Sequence, residues 1–125
     1  MWGDYLQLCQ KHHAALRHYQ KASTEFEKLG LKISQAETLG RISEVLLNLG
    51  QMEAAWQANE IALNLAKPQG KRLLIMPRLL TARAAILTAM GQVEEAQQTE
   101  RQARKIRNWQ LKEIKIYPVE ATTTS

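Results

Sequence analysis

The sequence predicts an all-α chain, an α-solenoid of antiparallel helix pairs in about three units, the first incomplete. Three observations carry this. Only 6 Gly and 3 Pro occur in 125 residues, too few for the many turns of an all-β domain of this size. Ala, Leu, Gln, Glu, Lys and Arg dominate, and these are strong helix formers. A pattern of small residues also recurs about every forty residues, the mark of a repeat architecture.

The repeat reads Ala15-Leu16-x-x-Tyr19-x-x-Ala22, then Ala55-Trp56-x-x-Asn59-x-x-Ala62, then Ala96-Gln97-x-x-Glu100-x-x-Ala103. In each copy the two alanines lie seven residues apart, two turns along one helix face. A small side chain there lets a neighbouring helix approach to the short end of the ~8–10 Å interaxial range. Leu49-Gly50-Gln51-Met52-Glu53-Ala54-Ala55 is matched by Met90-Gly91-Gln92-Val93-Glu94-Glu95-Ala96. Each Gly ends a helix because it takes the left-handed conformation without steric cost. The acidic residues that follow suit the positive N-terminal end of the next helix.

Taken in order, the elements are helices near 2–9, 12–29, 35–49, 52–67, 72–90 and 93–108, with a shorter one near 109–117. Gly30 closes the second. Ser34-Gln35-Ala36-Glu37 has capping-box spacing and is expected to open the third. Pro68-Gln69-Gly70 separates the second unit from the third. Pro77 either opens the fifth helix or kinks it, since proline lacks an N–H. Lys112 to Tyr117 alternates like a strand but has no second strand to pair with. Pro118 ends the repeat domain at residue 117, and 118–125, ending Ala121-Thr122-Thr123-Thr124-Ser125, reads as a disordered tail.

These residues resemble a tetratricopeptide repeat protein, in the variety with a period near forty. The Leu49-Gly50 and Met90-Gly91 turns and the alanine pairs 55/62 and 96/103 carry the likeness, with Ala15, Tyr19 and Ala22 matching the family's second-helix pattern. It spans roughly residues 2–108. No Trp-Leu-Gly-Tyr signature opens the helices of units two and three, and the family's inter-unit proline is matched only loosely by Pro68. The resemblance implies a non-catalytic module that binds a protein or peptide in a concave groove lined by the first helix of each unit. Glu37, Arg41, Glu44 and Asn48 would line it in unit two, and Arg78, Thr81, Ala85 and Thr88 in unit three. Arg41 and Asn48 share one face and suit the backbone or carboxylates of an extended segment. The family's carboxylate clamp of Lys and Asn residues is missing, which argues against chaperone C-terminal tails. With the first unit incomplete, Trp2, Tyr5 and Leu6 are expected to lack part of their covering layer and to form an end interface, to a partner or to a second copy. Ile106, Trp109, Ile114 and Tyr117 are expected to cap the other end.

Charge suggests a second reading. Residues 1–62 hold 6 Lys/Arg against 7 Asp/Glu, and residues 63–125 hold 11 against 5. Arg101, Arg104, Lys105, Arg107, Lys112 and Lys115 form a basic patch. Arg101, Arg104/Lys105 and Lys112 share a helical stripe able to meet phosphates, with Trp109 placed to stack on a base. Nucleic-acid or acidic-ligand binding is therefore the alternative. A solvated basic face, with Trp109 serving the core, is the simpler account, and the patch also holds Glu100 and Glu113. Trp56, Met52, Leu63 and Leu65 read as core, although Trp56 also suits an interface.

The remaining features point to no chemistry. His12, His13 and His18 do not stack on one helix face, and no nearby cysteine completes a site, so no metal is expected. Cys9 is the only cysteine; an intrachain disulfide is impossible, which fits a reducing compartment. No glycine-rich phosphate loop, nucleophile elbow or His-Glu-x-x-His is present, so neither an enzyme nor a cofactor is expected. No apolar run reaches the ~18–20 residues that span a bilayer. Met1-Trp2-Gly3-Asp4-Tyr5 lacks the basic and apolar regions of a signal peptide. The expected location is cytoplasmic, without membrane contact.

Overall fold

The computed structural model describes residues 2–113, with side-chain surroundings from residue 7 onward. Among the described residues the chain is all-helical, with five α-helices: α1 (Trp2–Lys28), α2 (Lys32–Asn48), α3 (Met52–Ala66), α4 (Met76–Ala89) and α5 (Val93–Glu113). A 3-10 segment, Lys67–Arg72, joins α3 to α4. None of these helices is long and apolar enough to cross a membrane.

One turn design joins α1 to α2, α2 to α3, and α4 to α5. At the second of these, the Gly50 N–H donates to the Leu47 carbonyl and the Gln51 N–H to the Leu46 carbonyl. The Gly91 and Gln92 N–H groups donate in the same way to Thr88 and Leu87. This is a Schellman motif, and it needs a left-handed residue at its centre; Gly50 has φ 79° and Gly91 φ 84°. Gly30, at φ 71°, closes the first turn. In each case the residue after the glycine starts the next helix without a side-chain cap.

That direct entry corrects the expected start of α2. The helix begins at Lys32, and Ser34 falls inside its first turn, where its carbonyl accepts from Thr38 Oγ1 at 2.8 Å. The predicted break near residues 10–11 is also absent. α1 is one helix of 27 residues, because Gln10-Lys11-His12 offers no glycine or proline to stop it. What precedes the first complete helix pair is therefore a single long helix. α4 starts at Met76, four residues later than expected, and Pro77 sits in its first turn. Proline is tolerated there because that N–H would have no helical acceptor, so Pro77 opens the helix and does not kink it. α5 runs unbroken through residue 109 to Glu113, merging with the start of the predicted final helix. The expectations for residues 114–125, including the caps Ile114 and Tyr117, basic Lys115 and the tail, lie outside the described residues.

Packing follows chain order. α2 pairs with α3 and α4 with α5; α1 lies on α2 and α4 on α3. α2 also touches α4, whereas α3 and α5 have no Cα atoms within 8 Å of one another. The repeated alanines sit at these crossings, with Ala55, Ala62, Ala96 and Ala103 all buried. On α1 the equivalent Ala15 and Ala22 are half-buried, since among the described residues only α2 lies along that helix. One core cluster joins Ala36, Ala62, Met76, Leu79 and Leu80 to the half-buried Ile106 of α5. A second joins Ile42, Leu46, Ala55 and Ile86 and receives Leu16 and Tyr19 from α1. Trp56 packs on this second cluster and on a third around Leu87 and Ala96. Leu63 and Leu65 pack on the first cluster, but Met52 is exposed, contrary to its expected core role.

Candidate functional site

The faces of α2 and α4 bring four of the predicted groove residues together, Glu37, Arg41, Glu44 and Arg78. Glu44 of α2 takes a two-point ion pair from Arg78 of α4, Nε to Oε1 and Nη2 to Oε2, both at 3.2 Å. The Glu44 hydrogen bond, then its charge, raise the Arg78 pKa above its ordinary value, and Glu37 adds a smaller pull. Glu37 also pairs with Arg41 one turn along, at 3.8 Å. Asn48, Ala85 and Thr88 are exposed, and Thr88 Oγ1 donates to the Ala84 carbonyl at 2.9 Å. Thr81 differs, because its hydroxyl oxygen is buried with no hydrogen-bond partner.

Two shallow clefts flank this face. One, of about 270 Å³ between α1 and α2, is walled by Tyr19, Phe26, Glu37 and Arg41. The other, of about 530 Å³ between α4 and α5, is walled by Thr81, Ala85, Thr88, Gln97, Arg101 and Arg104. The side chains of Trp2, Tyr5 and Leu6 lie outside the described ones, although their backbone belongs to α1. His13 and His18 are exposed, and His18 lies edge-on to Tyr19.

The basic patch is divided between two sides of α5. Arg101 and Arg104 border the α4–α5 cleft, whereas Lys105 borders a different and larger one. Arg107 and Lys112 are exposed. Trp109 is not an open stacking platform, since the Lys71 ammonium lies over its ring, 4.7 Å from the centroid. Half-buried, it walls the larger cleft.

Sequence reasoning missed that larger cleft. It measures about 770 Å³ and opens between α3 and α5, where those helices stand apart. Leu63 of α3, Met76 and Leu80 of α4, and Ile106 of α5 give it an apolar lining. Lys67, Lys71, Arg83 and Lys105 surround them, with Glu60 as the one acid. Arg83 is held on three sides. Its guanidinium lies 3.8 Å from the centre of the Trp56 ring. It also pairs with Glu60 at 3.5 Å and reaches Asn59 Oδ1 at 3.5 Å. Gln110 fixes the end wall, its amide donating to the Lys71 and Leu73 carbonyls at 2.7 Å each. A signal existed in the spacing: Glu60/Leu63/Lys67 and Gln102/Lys105/Ile106/Trp109 each fall on one helix face. Their apposition depends on how far apart the helices stand, which spacing does not encode.

Comparison of the chain with protein-family models, with curated proteins and with solved structures found no match.

Proposed function

We propose that this chain is a non-catalytic, tetratricopeptide-like module that holds a partner polypeptide against the face formed by α2 and α4. The observation that carries this reading is the unequal spacing of its layers. α2 touches α4, yet α3 and α5 do not meet. Successive helix pairs in contact on one side and splayed on the other curve toward the contacting side, which supports reading α2 and α4 as the inner layer of a short solenoid. Buried alanines at each crossing and the same glycine turn inside both pairs support the family reading. A surface already shaped before the partner arrives loses little ordering entropy on binding. On that inner face, Arg41, Asn48 and Thr88 are the contacts for an extended segment.

α1 offers a second surface to the same function. Its 27 residues rise about 40 Å, against about 25 Å for the 17 of α2. It therefore runs on past the helix that covers it, and Leu8 is exposed there.

The test is affinity capture with the full chain and with an Arg41→Glu/Asn48→Arg variant, each at low and high salt, with and without nuclease. A polypeptide that is retained at high salt after nuclease, and lost with the variant, is the expected result. Captured nucleic acid that dissociates steeply with salt would favour the basic second half instead. Sedimentation of the wild-type chain reports self-association through α1.

A further inference from the structure

The α2–α4 face leaves the cleft between α3 and α5 unused. We propose that the wedge between α3 and α5 is a second docking site, and that it takes one amphipathic, acidic α-helix from a partner protein. This rests on the chain being a polypeptide-binding module, but it concerns the opposite side of the fold from the α2–α4 face.

Shape argues for a helix. α3 and the residue that caps its C-terminus line the wedge with positions 60, 63 and 67, and α5 with 102, 105, 106 and 109. Each wall thus presents two helical turns, a length of about 10 Å. α3 and α5 have no Cα atoms within 8 Å of one another across the opening, so the walls do not close on each other; a helix with its side chains is about 10–12 Å across. A helix laid between them sets residues at i, i+3 and i+7 against Leu63, Ile106 and Leu80, the usual geometry of a helix in a groove. A small amphiphile fits less well. Sites for such ligands enclose most of the ligand surface, whereas this wedge stands open to solvent.

Charge argues for an acidic helix. Two of the four surrounding cations are already engaged, Arg83 by Glu60 and Trp56, and Lys71 by Trp109. Lys67 and Lys105 are exposed on the two opposing walls, and among the described residues no carboxylate pairs with either. A helix with a leucine stripe flanked on both sides by glutamates would meet one lysine with each flank. A basic helix would meet the same pair as repulsion.

The probe is a fluorescein-labelled, helix-stabilised peptide with leucines at i, i+3 and i+7 and glutamates flanking them, titrated by anisotropy into the full chain. Controls are the same composition scrambled and the same stripe flanked by lysines. The expected result is saturable binding of the acidic helix alone, weakened at least tenfold by Lys67→Glu/Lys105→Glu and unchanged by Arg41→Glu/Asn48→Arg. Circular dichroism and thermal melting of the exposed-lysine variant confirm that it folds. Equal binding of the scrambled peptide, or affinity indifferent to the lysine reversal, overturns the proposal. So does displacement of the peptide by dodecanoate at comparable concentration, which would make the wedge an acyl-chain site. Self-association of the wild type that Lys67→Glu/Lys105→Glu abolishes would assign the wedge to a second copy and also overturn it. Failure here with capture still sensitive to Arg41→Glu/Asn48→Arg removes the wedge alone. Capture indifferent to that variant removes the general reading.

Discussion

The side-chain amide of Asn59 in α3 donates to the main-chain carbonyl of Leu79 in α4 at 3.0 Å, and both residues are sealed from solvent. This bond fastens the second helix of one pair to the first helix of the next. The amide oxygen faces the Arg83 guanidinium, so the same side chain also orients the arginine that stacks on Trp56. Asn59→Ala removes a buried donor and leaves a hole. The expected cost is about 2–3 kcal/mol, made up of a lost hydrogen bond and a small cavity. Urea unfolding followed by circular dichroism measures it. A change under ~0.5 kcal/mol would mean that the bond does not hold the pairs together.

Gly40 of α2 packs directly against Leu79 of α4. A Cβ added there would lie 2.6 Å from Leu79 Cδ2, and Leu79 is 2 % exposed, with little freedom to move aside. Alanine gains about 1 kcal/mol of helix propensity over glycine. Overpacking a filled core costs about 1–3 kcal/mol, and the clash should win. Gly40→Ala is expected to lower the melting temperature by several degrees. Leu79→Ala alone should cost about 2–5 kcal/mol through its cavity. Combined with Gly40→Ala it should cost less than the sum by at least ~0.5 kcal/mol, because each change fills or relieves what the other creates. Strict additivity of the two losses would contradict the contact.

What was legible in the chain was local. Gly50 and Gly91 declared the turns because only a left-handed residue closes that motif, and the alanines at 55, 62, 96 and 103 declared the crossings through their period. The capping reading at Ser34 failed because the Gly30 turn feeds α2 directly, so no side chain was needed to start it. Pro77 was ambiguous because a proline in a first turn and a proline in an interior look alike until the helix start is known. Gly40 passed unremarked, although a glycine within a helical pattern commonly has a packing reason. The partner of Asn59 is a carbonyl twenty residues away. The wedge lined by Leu63 and Ile106 exists only because α3 and α5 diverge. Spacing puts Leu63 and Ile106 each on a helix face, but neither the Asn59 partner nor the apposition of those two faces is encoded locally.

The Glu44–Arg78 pair is well formed but about half-exposed, with side-chain exposures of 38 % and 52 %. Ion pairs in water contribute about 0–1 kcal/mol. Arg78→Met is therefore expected to change stability by under ~1 kcal/mol at low salt, and by less at ~1 M salt, where screening reaches within ~3 Å. The raised Arg78 pKa gives a sign for pH as well. A cation held above its unfolded pKa contributes in full below that value and loses its contribution only as pH rises through the folded one. Since the Arg78 pKa is raised from an already strongly alkaline value, no loss from Arg78 is expected below strongly alkaline pH. Denaturation midpoints of wild type and Arg78→Met, compared across pH at two salt concentrations, check both statements.

Gln110 should control the segment between α3 and α4. Its amide donates to the carbonyls of Lys71 and Leu73, the second of which also accepts the Met76 N–H. Gln110→Glu replaces those donors with oxygens facing oxygens, at an expected cost of about 2–4 kcal/mol. Hydrogen exchange should quicken first at the amides of Leu73 and Met76, which close the turns of this segment, while the α2–α3 turn stays unchanged. Uniform acceleration across the whole molecule would instead mean that Gln110 supports the fold generally.

Thr81 and Thr88 sit on one face of α4 and differ in a single bond. Thr88 Oγ1 is satisfied by the Ala84 carbonyl, whereas the buried Thr81 Oγ1 has no partner. Burying an unpaired hydroxyl costs about 1–3 kcal/mol, and valine keeps the branched shape at nearly equal helix propensity. Thr81→Val should therefore stabilise the chain by about 1 kcal/mol, and Thr88→Val should not. Thr81→Ser keeps the hydroxyl and loses a methyl, so it should be the least stable of the three. Thermal melting ranks them directly. Because the Thr81 hydroxyl oxygen is buried, a docked polypeptide does not reach it, and Thr81→Val should bind the proposed partner as the wild type does. Weaker binding by a more stable valine variant would mean that the hydroxyl turns outward to meet the partner.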